Sequence, residues 1–332
     1  MKLLVCGGAG FIGSTFVRLR VGEHGDEVTV LDKLTYAGRR ENLQDVAQEI
    51  RFVHGAIEDP DAVGDAVQGV QAIVNFAAET HVDRSISHPE AFIITNMQGT
   101  HTLLEAAREH DLRYLQVSTD EVYGSIAEGS FTEFSPLAPS SPYSATKTGG
   151  DLLVQSFFHT YELPTLICRG SNNYGPYQYP EKLIPLMILN ALAGDHLPVY
   201  GDGRQVRNWL FVEDFARGIG HVLEHGDPGE VYNCGGPDEC ENLTVVQRII
   251  ELTGADASQI DYVTDRPGHD RRYSLSAEKL RALGWRALTR FDRGLERTVS
   301  WYRENAWWWE PIRTGEYLEY YSRHYGRDLK GS

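Results

Sequence analysis

Along the first half of the chain, short apolar runs alternate with longer stretches whose apolar residues recur every three or four positions. Leu3–Cys6, Val28–Asp32, Arg51–His54, Ala72–Phe76, Tyr114–Ser118 and Pro164–Cys168 read as short buried strands. Between them, Thr95–His110 carries Met97, Leu103, Leu104 and Ala107 at helical spacing, and Ser144–Thr160 reads as one long helix. Strands alternating with helices predict βαβ units and a doubly wound parallel sheet, an α/β fold. From about residue 177 the alternation loosens, broken by Pro180, Pro185, Gly194, Pro198, Gly201 and Gly203. This change predicts a smaller C-terminal α/β lobe. Residues 1–176 then form the sheet domain, 177–332 mainly the second lobe, and about 205–235 return to the first. The cleft between the lobes is the default ligand site.

The turn after the first strand sharpens the fold to a Rossmann type. Gly7, Gly10 and Gly13 recur at three-residue spacing where a strand gives way to a helix. Such glycines permit a tight turn, a close backbone approach to a pyrophosphate and close helix–sheet packing. The helix start adds free N–H groups and a positive dipole end. Asp32 closes the second strand 19 positions after Gly13, near the spacing of about 20 for an acid on the adenosine ribose. A carboxylate there favours NAD over NADP, with Lys33, Arg39 and Arg40 as a partial offset.

Composition narrows the partners. Of 332 residues 41% are hydrophobic and 11% aromatic, enough for a large core. Against 47 acidic residues stand 31 Lys and Arg, a net charge of −16, which argues against nucleic acid and anionic membranes as partners. Cys6, Cys168, Cys234 and Cys240 form neither a CxxC pair nor a zinc spacing, so no metal is expected. No run is long and apolar enough for a membrane helix, and glycines interrupt the apolar start. A cytoplasmic protein is the expectation. The Trp307–Trp309 run reads as C-terminal packing rather than a base-stacking platform.

Two further groups bring chemistry. Tyr143 and Lys147, four residues apart, share one helix face, where an ammonium can lower a phenol pKa and make it a base near neutral pH. The strand ending at Ser118 runs into Thr119, Asp120 and Glu121, at the end of a strand where doubly wound sheets bind ligands. Two adjacent carboxyl groups there supply general acid and general base. His81, two residues from Asp83, reads as structural.

With these pieces the chain resembles the extended short-chain dehydrogenase/reductases, and among them the dTDP-glucose 4,6-dehydratase family. The resemblance rests on GGAGFIGS (7–14), LDKLTYAG (31–38), FAAETHVDRSI (76–86), STDEVYGS (118–125), SPYSATK (141–147), NNYGPYQYPEKLIPL (172–186), YGDGRQVRNWLFVEDF (200–215) and DRPGHDRRYSL (265–275). It implies an NAD-dependent homodimeric lyase acting on a nucleotide sugar. Tyr143 would take the proton from the carbon 4 hydroxyl as hydride leaves for NAD⁺, Glu121 the carbon 5 proton, and Asp120 would protonate the departing carbon 6 hydroxyl. Hydride then returns to carbon 6. Thr119 would bond the carbon 4 oxygen, and Lys147 the nicotinamide ribose.

The resemblance also implies contacts beyond the reacting groups. For the cofactor these are Phe11 and Ile12 beside the glycines, then Lys33, Leu34 and Thr35 after Asp32. Ala56 and Ile57 follow the third strand, and Phe76, Ala77 and Ala78 the fourth. Thr95, Ser118 and Asn173 complete the set. For the substrate, Lys182, Arg207 and Arg272 would meet the diphosphate or nucleotide. Thr80, Asn172, Leu183, Pro198, Tyr200, Asn242 and the loop Asp265, Arg266, His269, with Tyr273, occupy matching positions. Plainer readings stand beside three of these: Arg207 as a surface ion pair, Tyr200 as a core ring, Asn242 as a helix cap. Another nucleotide sugar, such as UDP-glucose or a UDP-N-acetylhexosamine, is the alternative substrate, and a non-catalytic dinucleotide sensor the alternative class. Four positions depart from the family pattern: Cys6 for Thr, Ala56 for an Asp on the adenine amine, and Gly170-Ser171 for bulkier residues.

Overall fold

Each of the six apolar runs forms a strand in the computed structural model, which describes residues 1–265, 268–314 and 316–325. They are β1 (Lys2–Cys6), β2 (Glu27–Asp32), β3 (Ile50–His54), β4 (Ala72–Asn75), β5 (Arg113–Thr119) and β6 (Thr165–Gly170). Side chains alternate across a strand, and in β1 Leu3 and Val5 enter one core while Leu4 and Cys6 enter the other. Both faces of β1 are therefore buried, which is why it reads as a continuous apolar run.

The chain continues through β7 (Asn172–Tyr174), β8 (Leu197–Tyr200) and β9 (Val206–Phe211) to β10 (Val231–Cys234), β11 (Asp238–Glu241) and β12 (Ile260–Val263). The large sheet has seven strands in the order β10-β6-β5-β4-β1-β2-β3, every neighbouring pair parallel. The winding reverses between β1 and β4, the switch point outside which such sheets bind ligands. Helix Val212–His225 sets Phe215, Ile219 and Val222 into the same core as Phe16 and Val17 of helix Phe11–His24. A second core joins the β11-β9-β7 sheet to helices Leu183–Ala193, Asn242–Thr253 and Phe291–Glu304. Trp308 is buried in it and Trp309 packs against it, whereas Trp307 is exposed.

One predicted helix is not regular. In place of a single helix over 95–110, an α-helical turn Pro89–Ile93 leads into a π-helical segment Ile94–Gly99 and then helix Thr100–Glu109. The wider turn buries Asn96, whose amide bonds both the N–H and the C=O of Glu79, at 3.0 and 3.2 Å. Polar insertions of this kind are frequent beside functional sites. Among the described residues no helix is long and apolar enough to cross a membrane.

Candidate active site

A cavity of about 310 Å³ lies along the carboxyl ends of β1, β2, β4 and β5. At one end is the Gly7–Gly13 turn. A Cβ on Gly13 would lie 2.2 Å from the Gly7 carbonyl oxygen, so the helix meets the strand this closely only with hydrogen there. Asp32 is buried beside the turn, its carboxylate accepting from the N–H groups of Ala9 at 2.9 Å and Leu34 at 2.8 Å. Burial raises its pKa and these two donors act against the rise. Lys33 is drawn to Glu58 (3.2 Å) and Thr95 (3.0 Å), Arg39 pairs with Glu41, and Arg40 covers the Phe52 ring. Each basic neighbour of Asp32 thus has a partner of its own.

The other end holds the candidate reacting groups. Ser141 and Ser144 cap helix Pro142–Tyr161 reciprocally, which fixes the first turn and places Tyr143 and Lys147 on the cavity wall. Lys147 Nζ donates to the Val117 carbonyl at 2.8 Å, and burial lowers its pKa to about 8, with Asp151 opposing. The expected lowering of the Tyr143 phenol by Lys147 is not what the protein provides. Burial first, then Glu121, raise it, and the Thr119 hydroxyl, bonded to the phenol, works the other way. Asp120 is buried and titrates near 8, raised by burial and by the adjacent Glu121, with Arg207 holding it down. Asp120 is thus a protonated acid at neutral pH, and Glu121 lies beside it on the wall.

The wall includes the predicted Phe11, Ile12, Thr35, Ile57, Phe76, Ala77, Ala78, Thr80, Ser118, Asn172, Asn173 and Lys182. It omits Leu34 and Ala56, which lie between lining neighbours. It also omits Leu183, Pro198, Tyr200, Arg207, Asn242, Asp265, His269, Arg272 and Tyr273. Of these, Arg207 and Tyr273 lie within electrostatic reach of the carboxyl pair. Arg207 is buried, lies 4.3 Å over the Tyr273 ring and bonds the Asp270 carbonyl at 3.0 Å, so it is no surface ion pair. Tyr200 reaches Asp83, His269 pairs with Asp265 at 2.6 Å, and Arg272 grips Glu239 through two bonds of 2.9 and 3.0 Å. Asn242 begins its helix one residue after the cap, Glu241, so the cap reading fails. Arg266 lies outside the described residues. His81 caps helix Val82–Ser87 through its ring nitrogen, a structural role.

Several lining residues have no residue-type signal in the sequence. Glu79, Gln178 and Tyr179 lie inside the quoted motifs but fit no chemical pattern, and Phe215 comes from the returning segment. Phe215 explains the Gly170 departure: a Cβ on Gly170 would lie 2.3 Å from its ring, which occupies the space of the missing side chain.

Ser118 Oγ, Asp120 Oδ2, Asn172 Oδ1, Asn173 Oδ1 and Gln178 Oε1 are buried on this wall with no hydrogen-bond partner. Buried polar atoms without partners are costly, so their convergence marks a cavity shaped for a polar ligand. The described residues contain no cluster of three or more His, Cys, Asp or Glu that could hold a metal ion.

Sheet order, glycine turn, ribose acid and acid–base groups together define a nucleotide-binding enzyme that works by proton transfer at the switch point of a Rossmann sheet. Residues 4–298 match the family model described as GDP-mannose 4,6 dehydratase, and the chain belongs to that family. It is 54% identical over 91% of its length to the low-salt glycan biosynthesis protein Agl12 of Haloferax volcanii, 98% of which is covered. A dTDP-glucose 4,6-dehydratase of Streptomyces niveus is 51% identical, with 95% of this chain and 96% of the relative covered. Among solved structures, DesIV, a dTDP-glucose 4,6-dehydratase from Streptomyces venezuelae with NAD and TYD bound, superposes with a TM-score of 0.92. It is 52% identical, with 94% of this chain and all of that chain covered.

Proposed function

We propose that the chain is an NAD-dependent dTDP-glucose 4,6-dehydratase, converting dTDP-glucose to dTDP-4-keto-6-deoxyglucose and water. The observation that carries this reading is the adjacent carboxyl pair of buried Asp120 and half-buried Glu121 on the cavity wall with Tyr143, at the end of β5. A dehydrogenase needs one proton acceptor at that point. Elimination of water needs an acid and a base as well.

The Gly7–Gly13 turn, Asp32, Ser118 and Lys147 would hold NAD, which supplies a hydride acceptor for carbon 4 and returns the hydride to carbon 6. Tyr143 would take the proton of the carbon 4 hydroxyl; the cationic Lys147 one helical turn away and the positive charge of bound NAD⁺ would have to offset the rise that burial and Glu121 impose on its phenol. Thr119 holds the oxygen on which the ketone forms. The ketone acidifies carbon 5, whose proton passes to Glu121, and Asp120, protonated at neutral pH, gives its proton to the departing carbon 6 hydroxyl. The reaction is redox-neutral overall. Lys182, on the cavity wall, and Arg207, beside Asp120, would serve the diphosphate, and the sheet domain with the returning 205–235 segment would serve as the cofactor lobe.

A homodimer fits the same reading. Ile93 and Ile94, with Leu152 and Tyr161 of helix Pro142–Tyr161, are exposed at 51, 37, 52 and 49%, an apolar surface suited to a second copy.

The test is product identification by mass spectrometry across dTDP-glucose, UDP-glucose and a UDP-N-acetylhexosamine. A 4-keto-6-deoxy product from dTDP-glucose, lost on Tyr143→Phe by about 10²–10⁴-fold, is expected. Turnover of UDP-glucose alone would reassign the substrate, and turnover of none would remove the enzymatic reading.

A further inference from the structure

At the outer side of the dinucleotide turn the chain's end meets its beginning. Trp308 is buried at 1% exposure, and its indole Nε1 donates to Asn42 Oδ1 at 2.7 Å, across 266 residues of sequence. Asn42, also buried, passes the contact on: its Nδ2 donates to the carbonyl of Ala9 at 2.8 Å. The orientation of the amide is dictated. An indole N–H only donates and a carbonyl only accepts, so the amide oxygen must face Trp308 and its NH₂ must face Ala9.

Ala9 is the residue between Gly8 and Gly10 in the turn. Its carbonyl receives a second bond, from the Arg39 N–H at 3.0 Å, and its own N–H goes to Asp32 at 2.9 Å. Every backbone polar group of that residue is thus fixed, one side by the ribose acid and the other through Asn42. Around the relay, the Arg39 guanidinium lies 5.8 Å over the Trp308 ring, and Tyr177 meets the ring edge-on at 5.7 Å. Arg18, from the helix that the turn opens, covers Tyr177 at 4.4 Å and bonds the Asn42 carbonyl. The bond from Trp308 keeps the Asn42 amide from turning, and the Asn42 amide holds the peptide beside which a pyrophosphate would sit.

We infer that Trp308 is a positioning residue for the dinucleotide turn: through Asn42 it fixes the Ala9 carbonyl and thereby slows release of bound NAD. This rests on the reading of that turn as the NAD site. It concerns a side chain that touches neither cofactor nor substrate.

The experiment measures the rate at which NAD leaves the purified full-length holoenzyme on dilution. Trp308→Phe keeps an aromatic ring and removes the donor, and Asn42→Ala removes the intermediary. Loss of a single buried hydrogen bond predicts NAD release about 3–10-fold faster in Trp308→Phe. Adding Trp308→Phe to Asn42→Ala should then change the rate no further, because the two act in series. Unchanged release in Trp308→Phe, or effects that multiply in the double variant, overturn the inference and leave Trp308 a packing residue. If Trp308→Phe does not fold, Asn42→Asp decides: it keeps the acceptor for the indole and loses the donor to Ala9. Faster release from Asn42→Asp supports the relay, and unchanged release overturns it. A wild-type chain that takes up no NAD fails the functional reading itself, an outcome distinct from all of these.

Discussion

Asp120 and Glu121 are neighbours in sequence and unequal in circumstance. Asp120 is raised from the ordinary 3.8 to about 8 because it is buried with a second carboxylate beside it, and Arg207 offsets only part of this. The folded state therefore binds that proton more tightly than the unfolded chain. Its contribution to stability is fully present below the unfolded pKa near 3.8 and is lost as pH rises through about 8. Asp120→Asn should consequently raise the melting temperature, by more at pH 8 than at pH 5, while product formation falls by about 10²–10⁴-fold. Thermal scans at the two pH values check the first, and a product assay the second. In the wild-type chain, turnover should decline above pH 8 as the acid form is lost. Residue type and spacing could place two carboxyl groups at the end of a strand. Which one is the acid came only from the family resemblance, because its physical basis is burial and Arg207, 87 positions away in the chain.

Helix Pro142–Tyr161 shows how an element ties chemistry to the core. One turn beyond Lys147, its Asp151 pairs with Arg169 of β6 at 2.8 Å, both side chains buried, and Arg169 also donates to the Tyr123 hydroxyl at 2.8 Å. Removing one partner of such a pair leaves a buried charge uncompensated. Asp151→Asn should cost about 3–5 kcal/mol of stability by denaturant unfolding. Because Asp151 also supports the charge on Lys147, the alkaline limb of the pH–rate profile should move to lower pH. The helix itself was legible as a long stretch over Ser144–Thr160, two residues short of its start at Pro142. The π-helical segment Ile94–Gly99 was not, since its cause is the burial of Asn96 against Glu79, a contact that leaves no period in the sequence. The outer substrate positions were obscured for a related reason. Arg207 of β9 meets Tyr273 of the stretch after β12 through packing, and that stretch, which also holds Asp265, carries no regular pattern of its own.

For the molecule as a whole, the apolar surface over Ile93, Ile94, Leu152 and Tyr161 sets the expected assembly. If the proposed homodimer forms through this surface, the wild-type chain should elute as a dimer and a paired Ile94→Glu and Leu152→Glu variant as a monomer, with the mass read by light scattering. The net charge of −16 repels an anionic nucleotide sugar at long range, so capture of the diphosphate must fall to local cations, for which Lys182 and Arg207 are the proposed residues. The large sheet has another consequence, one of timing. Its edge strand β10 pairs with β6, matching Val231 to Ile167, so the chain leaves the sheet after β6 and returns about 60 residues later. A chain emerging from the ribosome therefore carries an unfinished sheet, with the β6 edge open, until the first strands of the second lobe have been made. Vectorial synthesis cannot complete the lobes one after the other: the second must begin to fold before the first can close.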